Sequence, residues 1–230
     1  MLKFSHTVQP YFERDGIRIF HGDAREVVPT LGKVALVLTD PPYAMSGAKK
    51  EWRVTATVGT GLHLAAKSVL KGGAMFAFST TSGRGVEYTL GAVGEALPFN
   101  RILIWHKSFV RSRVAGPWRW DAVAILAFGR ASFGRPELSS VFTSSGPTGA
   151  AQNGNNRHPA ELPAGIAEWL YRPFVGGSGI VLDPFCGTGV LLAPAVREGR
   201  TVVGIDTSER WCEEAARRLS NVQLALDDAA

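Results

Sequence analysis

The sequence predicts an α/β protein: one domain over residues 1–230, with a mostly parallel, seven-stranded sheet covered by helices on both faces. Three observations carry this. Strand-like and helix-like segments alternate along the chain, the pattern of a doubly wound sheet. The strand-like segments are unbroken apolar runs such as Val34-Ala35-Leu36-Val37-Leu38, and strands buried on both faces read that way. Two of the runs end in short strings, Thr39-Asp40-Pro41-Pro42-Tyr43 and Asp183-Pro184-Phe185-Cys186-Gly187-Thr188-Gly189. Open α/β sheets bind ligands just past the carboxyl ends of their strands, where both strings fall.

Taken in order, Ile17-Arg18-Ile19-Phe20 reads as the first strand, ending at His21-Gly22-Asp23, with a short helix through Arg25 to Val28. The Val34 to Leu38 strand follows. Residues Ala44 to Gly61 are rich in Gly, Ala, Thr and Lys and predict a mobile loop. Leu62 to Leu70 has helical spacing, with Lys71-Gly72-Gly73 as a glycine stop. Ala74 to Phe78 is the next strand, then a helix over Val86 to Leu97 and a strand over Ile102 to Trp105. Ala122 to Phe128 is another apolar strand. The Ser/Gly/Pro/Asn-rich stretch Gly129 to Arg157 predicts the least ordered part of the chain. Glu161 to Tyr171 reads as a helix and Ile180 to Leu182 as a strand. A helix over Val190 to Arg197, the strand Val202 to Ile205 and a helix over Glu209 to Leu219 complete the pattern, with Ser208 placed to cap the last.

Hydrophobic content of 45% and charged content of 20% are ordinary for a globular protein. No stretch has the length of a membrane span, the start lacks a signal-peptide core, and two distant cysteines offer neither a disulfide framework nor a metal spacing. A reducing, cytoplasmic setting without a membrane or a metal is expected. The net charge of +5 is unevenly spread. Arg101 to Arg135 holds seven Lys or Arg against Asp121, whereas Glu198 onward holds four Arg against seven acids. A basic middle suits a polyanion, although an uneven solvated surface gives the same pattern.

The two strings differ in chemistry. Gly187-Thr188-Gly189 follows a strand and is expected to open a helix, where glycines let backbone approach a ligand. The strand Val202 to Ile205 then ends in Asp206, about twenty residues on, where Rossmann-like folds place the carboxylate that grips ribose hydroxyls. Asp206 as a helix-start acid is the plainer alternative. The third glycine of a dinucleotide fingerprint is missing, so an adenosine cofactor without a pyrophosphate fits better. Cys186 has no His near it in sequence and reads as a small turn residue. In the other string Asp40 is an acceptor, Pro41 and Pro42 stiffen the backbone and leave bare carbonyls, and Tyr43 presents a flat face. These groups suit an aromatic amino group on a planar base; a proline turn that merely ends a strand explains the prolines but not the Asp and Tyr.

The D-P-P-Y string followed by D-P-F-x-G-x-G closely resembles the β-group DNA amino-methyltransferases, in which the motif order is circularly permuted. Ile19 to Asp23, Lys71 to Ala74, Ile102 to Lys107 and Arg157 to Pro163 are similar to further landmarks of that family in the same order. The resemblance implies a Rossmann-like methyltransferase fold and S-adenosylmethionine as cofactor. It implies catalytic roles for Asp40, Pro41, Pro42 and Tyr43, and cofactor contacts at Asp23, Ala24, Asp40, His158, Pro159, Asp183, Phe185, Cys186, Gly187, Thr188, Gly189, Asp206 and Thr207. His158 stands where the family usually has Lys. Segments 107–121 and 129–157 fall where target recognition is expected and are short for that task.

The expected reaction is methyl transfer to adenine N6 in double-stranded DNA, after the base is flipped from the duplex. Lys49, Lys50, Arg53, Lys107, Arg111, Arg113 and Arg119 are the expected phosphate contacts, the first three on a loop that closes over substrate. Trp118 or Trp120 is a candidate wedge for the vacated gap, against the commoner fate of a buried Trp. Cytosine N4 is the nearest rival target, RNA or protein glutamine a more distant one, and a non-catalytic DNA-binding relative the rival of another class. The resemblance also implies a bacterial or phage-encoded enzyme, and it leaves open a homodimer and a cognate restriction enzyme or none.

Overall fold

A computed structural model describes residues 8–42, 49–79, 83–108, 121–129, 138–144 and 161–227. The chain forms strands β1 (Phe12–Arg14), β2 (Ile17–His21), β3 (Val34–Thr39), β4 (Val69–Ser79), β5 (Phe99–Lys107), β6 (Ala122–Gly129), β7 (Val141–Ser144), β8 (Val181–Asp183) and β9 (Val202–Asp206). Its helices are α1 (Ala24–Val27), α2 (Lys49–Ser68), α3 (Gly83–Gly94), α4 (Ala164–Tyr171), α5 (Ala193–Arg197) and α6 (Glu209–Asp227). One sheet holds all these strands in the order β1-β2-β9-β8-β3-β4-β6-β5-β7. From β2 to β4 every pairing is parallel, whereas β6 runs antiparallel between β4 and β5. The seven expected strands are therefore present, and among the described residues the sheet has nine. The additions lie at the two edges: β1 is a hairpin partner of β2, and β7 pairs parallel with β5 inside the stretch expected to be least ordered. Both are short and half exposed, so neither leaves the long apolar run by which the others are recognised.

Alternate residues of each central strand feed two cores. Leu36, Leu38, Phe76, Phe78 and Ile125 face α4, α5 and α6 and pack with Ile166, Leu170, Tyr171, Val196, Ala215 and Leu219. Val37, Met75, Leu126, Leu182 and Val203 face α1, α2 and α3 and pack with Val27, Leu62, Ala66 and Val93. Since both faces are covered, nothing polar is needed at alternate positions, which is why β3 reads as one apolar run.

Three local expectations are corrected. Residues 49–61 are helical, forming most of α2, rather than a mobile loop. Their Ala, Lys, Glu and Arg are adequate helix formers, and Val58, Leu62, Ala65 and Ala66 of the same helix are buried. The glycine pair at 72–73 is a bulge inside β4, not a helix stop: α2 ends at Ser68, and the register with β3 jumps between Val34↔Val69 and Leu36↔Ala74. Gly72 has φ +89°, and a Cβ on Gly73 would stand 2.6 Å from the Ala35 carbonyl oxygen, so the bulge requires glycine at both places. Finally, the helix expected from Val190 begins at Ala193. Pro194 has no N–H to donate to Val190, and the chain passes instead through turns closed by Leu192 N to Gly189 O (3.1 Å).

Arg200, 8% exposed, pins the approach to β8 by donating to the carbonyls of Ser178 (2.8 Å) and Gly179 (3.1 Å). A cavity of about 420 Å³ between Ala35, Leu70, Gly73, Phe174 and Arg200 lies at the amino ends of β3 and β9, away from both motif strings. No helix among the described residues is long and apolar enough to cross a membrane.

Candidate active site

The pairing of β3 with β8 sets the two strings side by side. Leu36 pairs with Val181 and Val37 with Leu182, so Asp40 and Asp183 leave the sheet on neighbouring strands at one edge. On the far side of β8, β9 brings Asp206 to the same edge, and β2 adds His21-Gly22-Asp23.

Asp206 organises the glycine turn. Its Oδ2 accepts from the Gly187 N–H at 3.0 Å and its Oδ1 from the Ser208 N–H at 2.8 Å. Cys186 N donates to Ile205 O and Gly22 N to Asp206 O, at 2.8 and 2.9 Å, so the ends of β8, β9 and β2 are tied together by backbone. Gly187 and Gly189 have φ of +50° and +75°, and a Cβ at Gly189 would press on Ala215 at 3.2 Å. A carboxylate offers about four acceptor positions, so two remain after these N–H groups are served. That spare capacity on a fixed carboxylate, beside a turn whose Gly187 and Gly189 bring backbone close, fits the diol of an adenosine group. The Ser208 bond bears out the helix-start reading of Asp206, and the two acceptor positions left over keep the ribose reading open.

Asp183 is 1% exposed, and burial pushes its carboxyl up to about 7. The Thr39 hydroxyl and the Phe185 N–H, which donates to Oδ1 at 3.1 Å, act against burial, while Asp40 and Asp206 add to it. Of the two, only the Phe185 N–H makes a hydrogen bond; the Thr39 hydroxyl is a buried oxygen without a hydrogen-bond partner and acts on Asp183 by proximity alone. Cys186 is also buried, its thiol raised well above the ordinary range chiefly by burial, which suits the turn residue rather than a nucleophile.

Asp23 has a task that spacing did not reveal. It caps α1, accepting from Arg25 N at 2.8 Å, and pairs with the Arg25 guanidinium at 2.7 Å, which holds its carboxyl below the usual range. Ala24 is buried beside Phe185 under Gly61 of α2, where a Cβ would meet the Phe185 ring at 2.9 Å. Gly61 is thus a notch for the motif phenylalanine that the sequence disguised as loop composition. Thr207 is exposed, its carbonyl 3.1 Å from His21 Nε2, and Thr188 is buried.

On the other flank Asp40 is half exposed, Pro41 buried and Pro42 exposed. Lys107, at the end of β5, is partly buried with its Nζ 4.5 Å from the centre of the Trp105 ring. Burial lowers its pKa and Asp40 opposes that shift. Lys49, Lys50 and Arg53 fall in the opening turns of α2. Tyr43, Arg111, Arg113, Trp118, Arg119, Trp120, His158 and Pro159 lie outside the described residues.

A family model for DNA methylases of the N6 and N4 type matches residues 118–217. The Escherichia coli (strain K12) protein YubD, a methylase by name, is 27% identical over 220 residues, covering 93% of this chain and 94% of YubD. TTHA0409 from Thermus thermophilus, a DNA modification methylase by name and complexed with S-adenosyl-L-methionine, superposes with a TM-score of 0.66 at 21% identity, over 89% of this chain and 95% of that one. The cytosine-N4-specific PvuII DNA methyltransferase superposes with a TM-score of 0.67 at 14% identity, over 96% of each chain. At such identities the structural likeness shows a shared fold, here the methyltransferase fold. Taken with the family match over residues 118–217 and the ordered motif strings, it makes the chain similar to the N6/N4 DNA methylases.

Proposed function

We propose that this DNA methylase transfers a methyl group from S-adenosylmethionine to N6 of adenine in double-stranded DNA. The observation that carries the reading is the adjacency of Asp40-Pro41-Pro42, a stiff acceptor frame, to a glycine turn locked by Asp206. S-adenosylmethionine supplies an electrophilic methyl group on its sulfonium. Asp206, with Thr207 beside it, would hold the ribose, and Gly187, Thr188 and Gly189 would let the cofactor lie against backbone. Asp183, Phe185 and Cys186 shape that turn from within. Asp23 and Ala24, at the end of β2, would bound the adenine, and His158 and Pro159 are assigned to the same cofactor.

An aromatic amino nitrogen is a poor nucleophile because its lone pair is delocalised into the ring. Asp40 and the Pro41 carbonyl accept its two N–H bonds, which favours tetrahedral geometry at nitrogen and frees the lone pair for in-line attack. As the N–CH3 bond forms and the S–CH3 bond breaks, positive charge moves to that nitrogen, where these preorganised acceptors stabilise it. The extra proton then leaves to solvent or to Asp40. Tyr43 stacks on the flipped base, and Pro42 fixes its approach. Lys49, Lys50, Arg53, Arg111, Arg113 and Arg119 hold phosphates, and the shortness of segments 107–121 and 129–157 favours a brief recognition sequence or contacts added by a second copy.

Cytosine N4 is the second reading, favoured by a fold likeness to the PvuII cytosine-N4 enzyme equal to that with the other neighbours. The test is transfer of labelled methyl to unmethylated duplex DNA, then nucleoside analysis. N6-methyladenine supports the first reading, N4-methylcytosine replaces it with the second, and an unlabelled DNA pool from a cofactor-binding protein sinks both.

A further inference from the structure

Lys107 sits among residues that fix it in one place. Trp105, two residues earlier on the same face of β5, is 3% exposed. Its ring meets Phe78 of β4 edge-on, at 6.4 Å and 84°, and its Nε1 donates to Ser144 Oγ at 2.9 Å. The Lys107 backbone is clamped as well: it pairs with Ser144 of β7, and its N–H donates to Asp121 O. On this platform the ammonium rests 4.5 Å from the Trp105 ring centre. β4 neighbours β3, and β3 and β5 run in the same direction, so Lys107 and Asp40 leave the sheet at the same edge.

A phosphate contact has different requirements. It is a flexible, solvated ammonium on a rim, able to trade counterions for DNA. Lys107 is partly buried, is stacked on an aromatic ring and is within electrostatic reach of Asp40. Behind Asp40 stand two more acids, since Asp183 is influenced by both Asp40 and Asp206. Negative charge on these acids at one strand edge is mutually unfavourable, and Asp183 joins it only as its proton leaves near pH 7. A cation held at the same edge, within electrostatic reach of Asp40, offsets that repulsion.

We infer that Lys107 belongs to the transfer site, as a positioning residue that acts through Asp40, and not to the surface that grips the DNA backbone. Its ammonium, stacked on Trp105, supplies the opposing charge at the strand edge where Asp40 would meet the amino group of the target base. The inference deepens the proposed function and rests on Asp40 being the acceptor there.

Three measurements on the full chain decide it. In the first, 15Nζ-lysine NMR follows the titration of Lys107 in the native protein and in Asp40→Asn. Loss of the opposing charge is expected to move the Lys107 midpoint further down; an unmoved midpoint overturns the pairing. This readout needs no activity, so a protein that transfers no methyl at all would refute the proposed function while leaving the pairing decided. In the second, binding of a non-cognate duplex is measured against salt for Lys107→Met. The slope of log K on log salt is expected to match that of the native protein, whereas a slope shallower by about 0.9 identifies a lost phosphate contact and overturns the inference. In the third, single-turnover methyl transfer is expected to fall at least about tenfold in Lys107→Met with KM for DNA nearly unchanged, and to recover most of that loss in Lys107→Arg. Equal loss in both variants, or a rise in KM alone, counts against it.

Discussion

The two flanks of the strand edge are built on opposite terms. On the β8–β9 flank the carboxylates are answered by backbone: Asp206 takes the N–H groups of Gly187 and Ser208, Asp183 that of Phe185, and the Asp206 carbonyl that of Gly22. On the β3–β5 flank Asp40 precedes two prolines that can donate nothing, and its electrostatic neighbours include the side chains Asp183 and Lys107. The first arrangement suits a small cofactor that enters the same way each time. The second suits a macromolecular substrate whose base must arrive, be gripped and leave, because it offers charge on a stiff frame rather than a web of backbone bonds. The proposed site for two substrates would therefore divide into a part fixed by backbone and a part governed by charge.

The sharpest way to break this comparison is Asp40→Ala. If the flanks are independent, methyl transfer is expected to fall by at least about 10²–10³-fold, the scale of losing a preorganised transition-state partner, while cofactor affinity stays near native. Single-turnover transfer and calorimetric titration with S-adenosylmethionine measure the two separately. Loss of both together would mean that Asp40 also supports the cofactor flank.

Asp206→Ala is the reciprocal change and should be the second largest. It strips acceptors from Gly187 N and Ser208 N, and hydrogen bonds to a charged group contribute about 1.5–3 kcal/mol each. A stability loss of about 2–4 kcal/mol in urea unfolding is expected, with cofactor affinity down at least about tenfold. A protein of native stability that merely binds cofactor weakly would assign Asp206 to the ribose alone.

The same division explains what the sequence disclosed. The β8–β9 flank is local: strand, glycine turn, strand and acid follow one another within twenty-four residues, from Asp183 to Asp206, so their spacing alone announces them. The fold was legible for a related reason, because strands covered on both faces must be apolar throughout. The reacting flank is assembled from β3, β4 and β5, and a lysine resting on Trp105 has no signature in the order of residues. Composition also misled at residues 49–61, where small residues that resemble a loop let α2 lie close against Phe185 and Ala24. The Gly72-Gly73 pair misled likewise, since a bulge and a helix stop both demand left-handed backbone.

Asp183 allows the cofactor flank to be tested by pH. Its folded-state carboxyl titrates near 7, above the ordinary value of 3.8, so between those values the folded chain holds a proton that the unfolded chain has lost. Its contribution to stability is full below the unfolded value and is lost as pH rises through 7. Native protein is therefore expected to lose stability relative to Asp183→Asn from about pH 4 to pH 7, as read by urea unfolding across that window. A constant difference between the two would mean that Asp183 keeps its charge in the fold.

The smallest effect expected is at Asp23, where the two roles of this edge meet in one residue. As the cap of α1 it accepts the Arg25 N–H, and replacing a capping Asp by Ala costs about 1 kcal/mol. The ion pair with Arg25 is largely solvent-exposed, so Arg25→Ala should cost no more than about 0.5 kcal/mol. Because Arg25 holds the Asp23 carboxyl below its usual range, the contribution is present at neutral pH and fades in acid. If Asp23 also bounds the adenine of the cofactor, Asp23→Ala must weaken cofactor binding by more than its stability loss explains, and Arg25→Ala must not. Thermal melts with and without S-adenosylmethionine separate these outcomes, since a ligand contact diminishes the shift on adding cofactor while a cap lowers both melts alike. Equal lowering of both would leave α1 as scaffold and move the adenine contact to the backbone at Gly22 and Ala24.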